Sequence, residues 1–554
     1  MQGSLCLLVG LALIMVGTAP ASAAQKRSIS LTVSSTSVLP GTTVTLAGKV
    51  TRSSKGTRVR IEQLSGRRWT TFKTVRTTSA KGSFASAVRI RSSVSYRAVA
   101  PKTKKLGKVT SKVRKVAVRQ AAEPAPPMPA PQVSVPIPPT APEVPPRNPN
   151  VRVPQASDGS AANDHSASAS ISADGRYVAY QSAAWNIVPG DTYNKVDIFL
   201  WDRDTGTTIR VSQAADGNQA DGDSFNPSIS ADGRYISFES RAPDLVPNDI
   251  GGSQDVFVWD RQTGLIVRAS ATPDGFGGNS TSMRSVISAD GSYVAYSSYA
   301  SNLVPDSSNG ATNVYLWNRQ TGATELVSRT AEGVSAHGYS DSAAISSDGR
   351  YVTYDSGAAN IVPDDTNTDW DVFQWDRLTS TTTKISQAAG GDGANGGSTR
   401  ASISSDGRFI AYSSYASNIV LGDTNNEHDV FLWDRQTAST TKVSVATDGG
   451  PTNGGSYSPS VSDDGRYVTF QSGASNVVPD DTKDWMDDVF VRDRQTGSTI
   501  RVSETVNGAS ANGPSRDTSI SGNGQYVVYE SEASNLVPGD SNGKTNVFVR
   551  EING

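Results

Sequence analysis

The chain has 554 residues, 36% of them hydrophobic, with a formal net charge of −2 and a single cysteine. This length exceeds one ordinary domain, and the composition excludes a chain made mainly of membrane-spanning segments. One cysteine also excludes a disulfide framework.

Residues 1–23 form an apolar run without Lys or Arg that ends in Ala21-Ser22-Ala23. The small residues at its end indicate a secretory signal peptide that is cleaved before Ala24. The run is too short to remain as a membrane span, so we expect no transmembrane segment after cleavage. Cys6 lies inside this leader, so no cysteine remains for a disulfide or a lipid anchor. We therefore expect a secreted protein, extracellular or associated with the cell envelope.

Residues 24–120 are predicted to form a small antiparallel β-sandwich. Alternating segments at 29–33, 43–46, 58–61 and 96–99 are separated by turns at Pro40-Gly41 and Lys81-Gly82. The run from Thr45 to Val50, followed by Trp69 and by Tyr96-Arg97, resembles the immunoglobulin-like modules of bacterial surface proteins.

Residues 25–119, here called the basic module, hold 23 Lys or Arg and one acid, Glu62, so the module carries +22 and the rest of the chain −24. Clustered like charge favours association with polyanions, which makes an anionic cell-wall polymer a candidate partner. Attraction between the module and the acidic remainder is the alternative explanation. No nucleic-acid-binding motif accompanies the charge, and no nucleic acid partner is expected. Residues 121–149 contain 12 prolines and are predicted to be an extended spacer.

The rest of the chain, residues 150–554, repeats one phrase seven times. It is marked by a turn at Asp174, Asp232, Asp290, Asp348, Asp406, Asp464 and Asn523, with five intervals of 58 residues and one of 59. Such a period indicates an array of one supersecondary unit. Each unit shows four short strands, here called a to d, and nothing in it predicts a helix. Strand b is bulky on both faces, and a ring of four-stranded blades covers both, so we predict an all-β, seven-bladed β-propeller.

The seventh unit ends before any strand d. Residues 151–155 lie 58 positions before the strand d that contains Ile209, so we expect them to complete the last blade. This N-terminal strand would close the ring and cover an edge that could otherwise pair with another chain. We accordingly expect a monomer.

The phrase Ser-x-Asp-Gly-Arg-Tyr-Val-x-Tyr, followed by Asp-Val-Phe-x-Trp-Asp, resembles the WD-like repeat (PD-repeat) of TolB-type propellers of the bacterial cell envelope, over residues 151–554. The resemblance implies a secreted or periplasmic binding platform. TolB itself has six blades and a different N-terminal domain, so its partners are not transferred to this chain.

The loops between strands b and c carry the pattern Asp-x-Asn-x-x-x-Asp/Asn. Oxygen ligands at alternate positions suit Ca²⁺, although the same residues also form ordinary Asx turns. The candidate calcium ligands are Asp191, Asp197, Asp249, Asp255, Asp365, Asn367, Asp371, Asp423, Asn425, Asp429, Asp540, Asn542 and Asn546. The loop of the third unit would be the weakest calcium site, because Ser307 replaces the first Asp of the pattern.

No catalytic residues are predicted. The three histidines, His165, His337 and His428, occupy different positions of the repeat. The strand b carboxylates Glu239, Asp355 and Glu530 are candidates for an acid/base pair that cleaves glycans. The alternative is that they are simply solvated. We therefore predict a non-catalytic propeller that binds an extracellular protein or glycan, with a secreted enzyme acting on polysaccharide as the alternative.

Overall fold

The computed structural model describes residues 28–118 apart from 34–36, 39–42, 52–55, 66–67, 80–81, 90–93 and 103–107, and residues 150–552 apart from 157–158, 192–194, 248, 250–251, 306, 308–309, 392, 482–485 and 541. The predicted leader with Cys6, the spacer at 121–149 and the turn residues Pro40, Gly41 and Lys81 lie outside these ranges. The chain divides into two compact units, Met1–Thr140 and Ala141–Gly554. Among the described residues, no helix is long and apolar enough to cross a membrane.

The first unit contains nine described strands. They are β1 (Thr32–Val33), β2 (Ser37–Val38), β3 (Thr43–Lys49), β4 (Arg58–Ser65), β5 (Arg68–Arg76), β6 (Ser83–Arg89), β7 (Val94–Ala100), β8 (Val109–Thr110) and β9 (Arg114–Val118). Strands β1, β3 and β6 form one sheet, and β2, β9, β7, β4 and β5 form the other, with β8 paired to β7.

Side chains from both sheets of the first unit meet in one core, which includes Leu46, Phe84, Ile61 and Tyr96. The two packed sheets agree with the predicted sandwich. One described pair departs from the predicted antiparallel arrangement, because β2 runs parallel to β9. Strands β1 and β2 are consecutive but belong to opposite sheets, so the chain crosses between the sheets and reaches β9 in the same direction.

The second unit contains 28 described strands. They are β10 (Val151–Val153), β11 (Ser166–Ile171), β12 (Tyr177–Ser182), β13 (Asp197–Asp202), β14 (Thr207–Arg210), β15 (Ser224–Ile229), β16 (Tyr235–Ser240), β17 (Asp255–Asp260), β18 (Ile266–Arg268), β19 (Ser282–Ile287), β20 (Tyr293–Ser298), β21 (Asn313–Asn318), β22 (Thr324–Leu326), β23 (Ser340–Ile345), β24 (Tyr351–Ser356), β25 (Asp371–Asp376), β26 (Thr381–Lys384), β27 (Ser398–Ile403), β28 (Phe409–Ser414), β29 (Asp429–Asp434), β30 (Ser439–Lys442), β31 (Ser456–Val461), β32 (Tyr467–Ser472), β33 (Asp488–Asp493), β34 (Ser498–Arg501), β35 (Ser515–Ile520), β36 (Tyr526–Ser531) and β37 (Asn546–Glu551).

These strands form four-stranded antiparallel sheets, as predicted. Sheets 1 to 6 each take four consecutive strands, from β11–β14 to β31–β34, and sheet 7 has the order β10, β37, β36, β35. The first strand of each sheet contacts the first strand of the next, and β35 contacts β11. This circular arrangement of small sheets is that of a β-propeller. The predicted pairing of the N-terminal strand is confirmed, because Arg152 of β10 lies opposite Phe548 of β37.

The repeated Asp-Gly-Arg-Tyr phrase joins each sheet to its neighbour. Gly233 adopts a φ of +66°, in the left-handed region that favours glycine. A Cβ atom at Gly233 would also lie 2.2 Å from Cδ2 of Tyr177 in the preceding sheet. Gly175 has the same relation to Tyr526, so this contact also links sheet 7 to sheet 1. The turn therefore needs glycine both for its backbone conformation and for sheet packing.

Polar groups support the same architecture. Arg234 donates hydrogen bonds of 2.8 Å from both Nε and Nη2 to Asp260, which joins the a–b turn to the c–d turn of the same sheet. Ser228 of strand a accepts a hydrogen bond from the backbone N–H of Ile287 in the next sheet, at 3.2 Å. Small serines near the axis thus hold adjacent first strands together.

Candidate functional site

The connections from strand b to strand c, and from each strand d to the next sheet, emerge at one end of the ring because the strands are antiparallel. We call this end the loop face. It carries the predicted calcium ligands, the strand b carboxylates and a set of exposed aromatic rings, which are described in turn.

Two of the predicted calcium ligands of sheet 4, Asp365 and Asp371, flank a lysine. Lys384 Nζ lies 2.9 Å from Asp365 Oδ1 and 2.7 Å from Asp371 Oδ2. The Lys384 side chain is only 2% exposed, and both carboxylates are 1% exposed. Ser386 donates a further hydrogen bond of 2.6 Å to Asp371 Oδ1. We call such a pair of loop residues with its buried strand d cation a cation clamp.

The clamp recurs around the ring at one register. In sheet 5, Lys442 lies 2.9 Å from Asp423 and 2.7 Å from Asp429. Arginine takes the place of lysine in sheets 1, 2, 6 and 7. These contacts are Arg210 with Asp191 (3.3 Å) and Asp197 (4.0 Å), Arg268 with Asp249 (3.5 Å) and Asp255 (3.8 Å), Arg501 with Asp481 (3.7 Å), and Arg152 with Asp540 (3.1 Å).

Sheet 3 has neither charge of the clamp. Leu326 stands opposite Tyr315 in the same register that places Lys384 opposite Phe373. The two loop positions are Ser307 and Asn313, and Asn313 Nδ2 donates to the Ser307 carbonyl oxygen at 3.1 Å. The acids and the cation are thus lost together, which indicates that they serve each other.

The asparagines of the predicted calcium pattern make hydrogen bonds within the protein. Asn367 Oδ1 accepts a hydrogen bond from the Asp369 backbone N–H at 2.8 Å, and Asn542 Oδ1 accepts one from that of Lys544 at 3.0 Å. These two contacts match the Asx-turn alternative. Asn425 Nδ2 donates to the Thr452 carbonyl oxygen at 3.1 Å, and Asn546 Nδ2 donates to Asp540 at 3.3 Å.

The carboxylate oxygens of the sheet 4 clamp contact an internal cation. Burial would lower the pKa of Lys384, but its hydrogen bonds to Asp371 and Asp365 raise it, so the ammonium stays charged. Within the described part of the chain, no group of three or more His, Cys, Asp or Glu side chains could hold a metal ion. Calcium binding stays a prediction from the sequence.

The strand b carboxylates cap the backbone of the next sheet. Glu239 accepts hydrogen bonds from the backbone N–H of Arg284 and from Gln254 Nε2, the latter at 2.6 Å. Asp355 accepts the N–H of Arg400 at 2.9 Å. Arg284 and Arg400 lie at bulges in strand a with φ of +53° and +56°. The acid therefore holds a backbone conformation that L-residues adopt rarely.

Burial raises the pKa of Glu239, Asp355 and Glu530 to about 7 each. Neutral residues make the same contact elsewhere, because Gln181 accepts the N–H of Asn226 at 2.9 Å. The three acids stand on sheets 2, 4 and 7, which are not neighbours. They act as separate caps and do not form an acid/base pair.

An arc of aromatic side chains crosses the loop face on sheets 3 to 6. Tyr339 and Tyr415 are each 52% exposed, Tyr299 is 46% exposed, and the others are partly buried. We call this set the aromatic arc; its members are Tyr299, Tyr339, Trp370, Tyr415, His428 and Tyr457.

Two glycines connect members of the arc on sheets 4 and 5. The N–H of Gly357 donates to the Tyr339 carbonyl oxygen at 3.1 Å, and that of Tyr415 donates to the Gly397 carbonyl oxygen at 2.9 Å. Trp370 lies close to both glycines: its Nε1 is 3.8 Å from a Cβ position at Gly357, and its Cβ is 3.9 Å from one at Gly397.

At its sheet 6 end the arc becomes a cluster of rings. The centroid of His428 lies 5.1 Å from that of Tyr415 and 5.0 Å from that of Tyr457. Burial lowers the pKa of His428, which favours the neutral imidazole at pH 7. Tilted pairs at this distance stabilise one another, so the rings are held in place before any ligand arrives.

The repeat shows that the fold does not require these rings. The position after strand b holds Tyr299 and Tyr415 in sheets 3 and 5, but Ala183, Arg241, Gly357, Gly473 and Glu532 in the others. The arc is not apparent in the repeat pattern because its members occupy four different positions of the repeat. A comparison of those positions among the seven units would have revealed it.

The other two histidines lie elsewhere, as their repeat positions predicted. His165 Nδ1 lies 3.1 Å from Thr545 Oγ1, and the backbone N–H of His337 donates to Asn360 Oδ1 at 2.8 Å.

Comparison with known proteins gives similarity to solved propeller structures. A candidate TolB from Agrobacterium tumefaciens is 16% identical, with 65% of this chain and 98% of that chain covered and a TM-score of 0.35. The GH74 enzyme NkGH74 of Niastella koreensis is 11% identical, with 69% of this chain and 71% of that chain covered and a TM-score of 0.21. No protein-family model matches the chain, and no curated protein matches it. Similarity at this level carries no information on activity.

Proposed function

We propose that the protein is a secreted, non-catalytic binding protein whose loop face recognises an extracellular protein or glycan. The propeller would be a closed seven-bladed ring, and the seven described sheets with the contact between β35 and β11 support this. The first unit would be an immunoglobulin-like module that precedes it.

The observation that carries this proposal is the aromatic arc. Half-exposed aromatic side chains leave apolar surface in contact with water and contribute little to a core. At equivalent positions other sheets of the propeller have Ala183 or Gly473. Rigid aromatic side chains with an apolar body and a polar edge are enriched where proteins bind ligands. The arc is therefore best explained as a contact surface.

An enzyme acting on polysaccharide is the weaker alternative. The acids whose pKa burial raises to about 7 are the caps Glu239, Asp355 and Glu530. Each already binds the backbone of a neighbouring sheet. Using one of them as a general acid would break the bulge that it holds.

The basic module is proposed to bind an anionic envelope polymer. Its single acid, Glu62, is bound by Arg97 Nη2 at 2.8 Å, so it offsets little of the surrounding charge. Arg68, Lys73 and Arg76 are exposed along β5. Such a surface attracts polyanions in a salt-dependent manner.

A binding screen with arc variants tests the proposal. The full chain is applied to a glycan array and to purified envelope proteins, with product detection for each retained glycan. We expect at least one ligand to be retained by the wild type and by Trp185→Ala, a 50% exposed tryptophan in sheet 1, but not by Trp370→Ala. Turnover of a retained glycan would favour the enzyme, and retention that is indifferent to Trp370 would contradict the loop-face assignment.

A further inference from the structure

We infer that the aromatic arc binds a neutral, linear chain of pyranose sugars. This inference rests on the proposed function and names its ligand class. It depends on the shape of the arc, on the groups along its inner edge and on the charge around it.

The shape suits a succession of flat sugar rings. A pyranose presents a face of C–H groups that packs on an aromatic ring, and its equatorial hydroxyls point sideways toward polar groups. The arc offers six aromatic rings on sheets 3 to 6, of which Tyr299, Tyr339 and Tyr415 are about half exposed. A compact ligand would contact one or two of them, whereas an extended chain can contact all.

Glycines lower the surface between the rings. A Cβ atom at Gly455 would lie 2.4 Å from the Tyr457 hydroxyl oxygen, so only glycine lets this phenol lie across the strand. Gly357 and Gly397 flank Trp370 without covering it. The result is a line of rings with free space beside them, which suits a chain lying along the surface.

Polar groups line the edge of the arc that faces the centre of the ring. Arg400 Nη1 donates to Ser458 Oγ of the next sheet at 2.7 Å, and Arg284 Nη1 lies 2.9 Å from Asp341 Oδ2. The two arginine side chains are 61% and 53% exposed, so they keep donors free for a ligand. A few placed polar groups beside apolar contacts are the usual arrangement of a sugar or small-molecule site.

A protein ligand fits the arc less well. Protein interfaces combine aromatic residues with a packed apolar centre. The members of the arc are Tyr, Trp and His, and the glycines Gly357, Gly397 and Gly455 lie beside them in place of packed aliphatic side chains.

The electrostatic surroundings favour a neutral chain over an anionic one. Glu427 and Asp487 both act on Tyr457, whose pKa is raised by burial and by these two acids. The chain outside the basic module carries −24. An anionic polysaccharide would therefore be repelled from the arc, although the basic module could still attract it.

Affinity electrophoresis of the full chain tests this inference. The gels contain hydroxyethylcellulose, glucomannan or arabinoxylan as neutral probes, and polygalacturonate as the anionic probe. We expect at least one neutral probe to retard the wild type, and Trp370→Ala and Tyr415→Ala each to weaken that retardation at least tenfold. Trp185→Ala, an exposed tryptophan outside the arc, should behave as the wild type. Tyr415→Ala removes a half-exposed ring, so its loss of binding cannot be attributed to a folding defect of the Trp370 variant.

Each result separates the inference from the proposed function. Absence of retardation by every neutral probe, or equal loss in Trp185→Ala, overturns the neutral glycan. If the earlier screen then shows protein capture that depends on Trp370, the proposed function stands without the glycan. If polygalacturonate retards Trp370→Ala as much as the wild type, the basic module binds it. If the retardation is lost in Trp370→Ala, the arc binds an anionic chain, and the inference of a neutral ligand is wrong.

Discussion

Replacing Lys384 by leucine tests whether the cation clamps hold the sheets together. Leucine is the residue that sheet 3 carries at this register. The substitution leaves Asp365 and Asp371 side by side, each 1% exposed, with no cation between them. A second variant also converts the rest of the site to the sheet 3 arrangement, as Asp365→Ser, Asp371→Asn, Phe373→Tyr and Lys384→Leu.

The two variants should differ strongly in stability. Removing one partner of a buried ion pair costs about 3–5 kcal/mol, whereas replacing the whole group by well-packed neutral residues is often close to neutral. With an unfolding entropy of about 2 cal/mol/K per residue over roughly 400 residues, the single variant should melt about 4–6 °C lower. The quadruple variant should recover most of this loss, because Tyr315 in sheet 3 donates its hydroxyl to the Ala300 carbonyl oxygen at 3.2 Å and shows how the space is filled.

Thermal unfolding of the full chain, followed by calorimetry at pH 7.5 and pH 5, measures both effects. The defect of Lys384→Leu should shrink at pH 5, because one of the paired carboxyls can then take a proton. A Lys384→Leu protein as stable as the wild type would refute the clamp. A quadruple variant no more stable than Lys384→Leu would refute the idea that sheet 3 is its neutral equivalent.

Three further predictions concern closure, pH and calcium. Deleting residues 150–156 should lower the free energy of unfolding by about 3–5 kcal/mol, because β10 supplies both the ladder partner of Phe548 and the cation for Asp540. An unchanged melting temperature would contradict the closure of the ring by β10. Burial raises the pKa of Glu239 to about 7, so the folded protein holds this proton more tightly than the unfolded chain, and its contribution to stability is lost as pH rises from about 4.5 to about 7. Glu239→Gln should therefore flatten the fall of unfolding free energy over this range and stabilise the protein at pH 8 by at most about 3 kcal/mol; an unaltered pH slope would count against the cap. If the predicted loop ligands bind calcium, millimolar Ca²⁺ should raise the wild-type melting temperature, chelator should reverse the rise and Asp371→Ala should blunt it; a melting temperature indifferent to Ca²⁺ would leave the loop oxygens to the clamp cations.

The fold followed from the sequence because the structural repeat is copied in the sequence. A period of 58 residues fixes the number of strands per unit, and the absent last strand indicates that Val151 to Val153 complete it. The same pattern could not show why each turn needs glycine. Tyr177 reaches Gly233 from a neighbouring sheet, and contacts between sheets leave no mark on the spacing within one unit.

The loop acids were assigned to calcium because their spacing in the chain resembles that of a metal loop. Their partner lies on another strand, since Lys384 is 19 residues from Asp365. Only the pairing register of β25 and β26 brings the ammonium between the two carboxylates. The joint loss of acids and cation in sheet 3 is nevertheless visible in the sequence once the units are aligned.

Departures from the repeat fall into two kinds, and the difference between them points to function. In sheet 3 the clamp is lost, but Ser307, Asn313 and Leu326 replace it together at one place, so the change keeps the fold intact. In the aromatic arc, single substitutions at separate repeat positions add half-exposed rings such as Tyr299 and Tyr339. Sheet 1 has Ala183 where sheet 3 has Tyr299, so the fold does not need an aromatic ring at that position. Residues that stability does not explain, and that converge on one surface, are those that a ligand explains best.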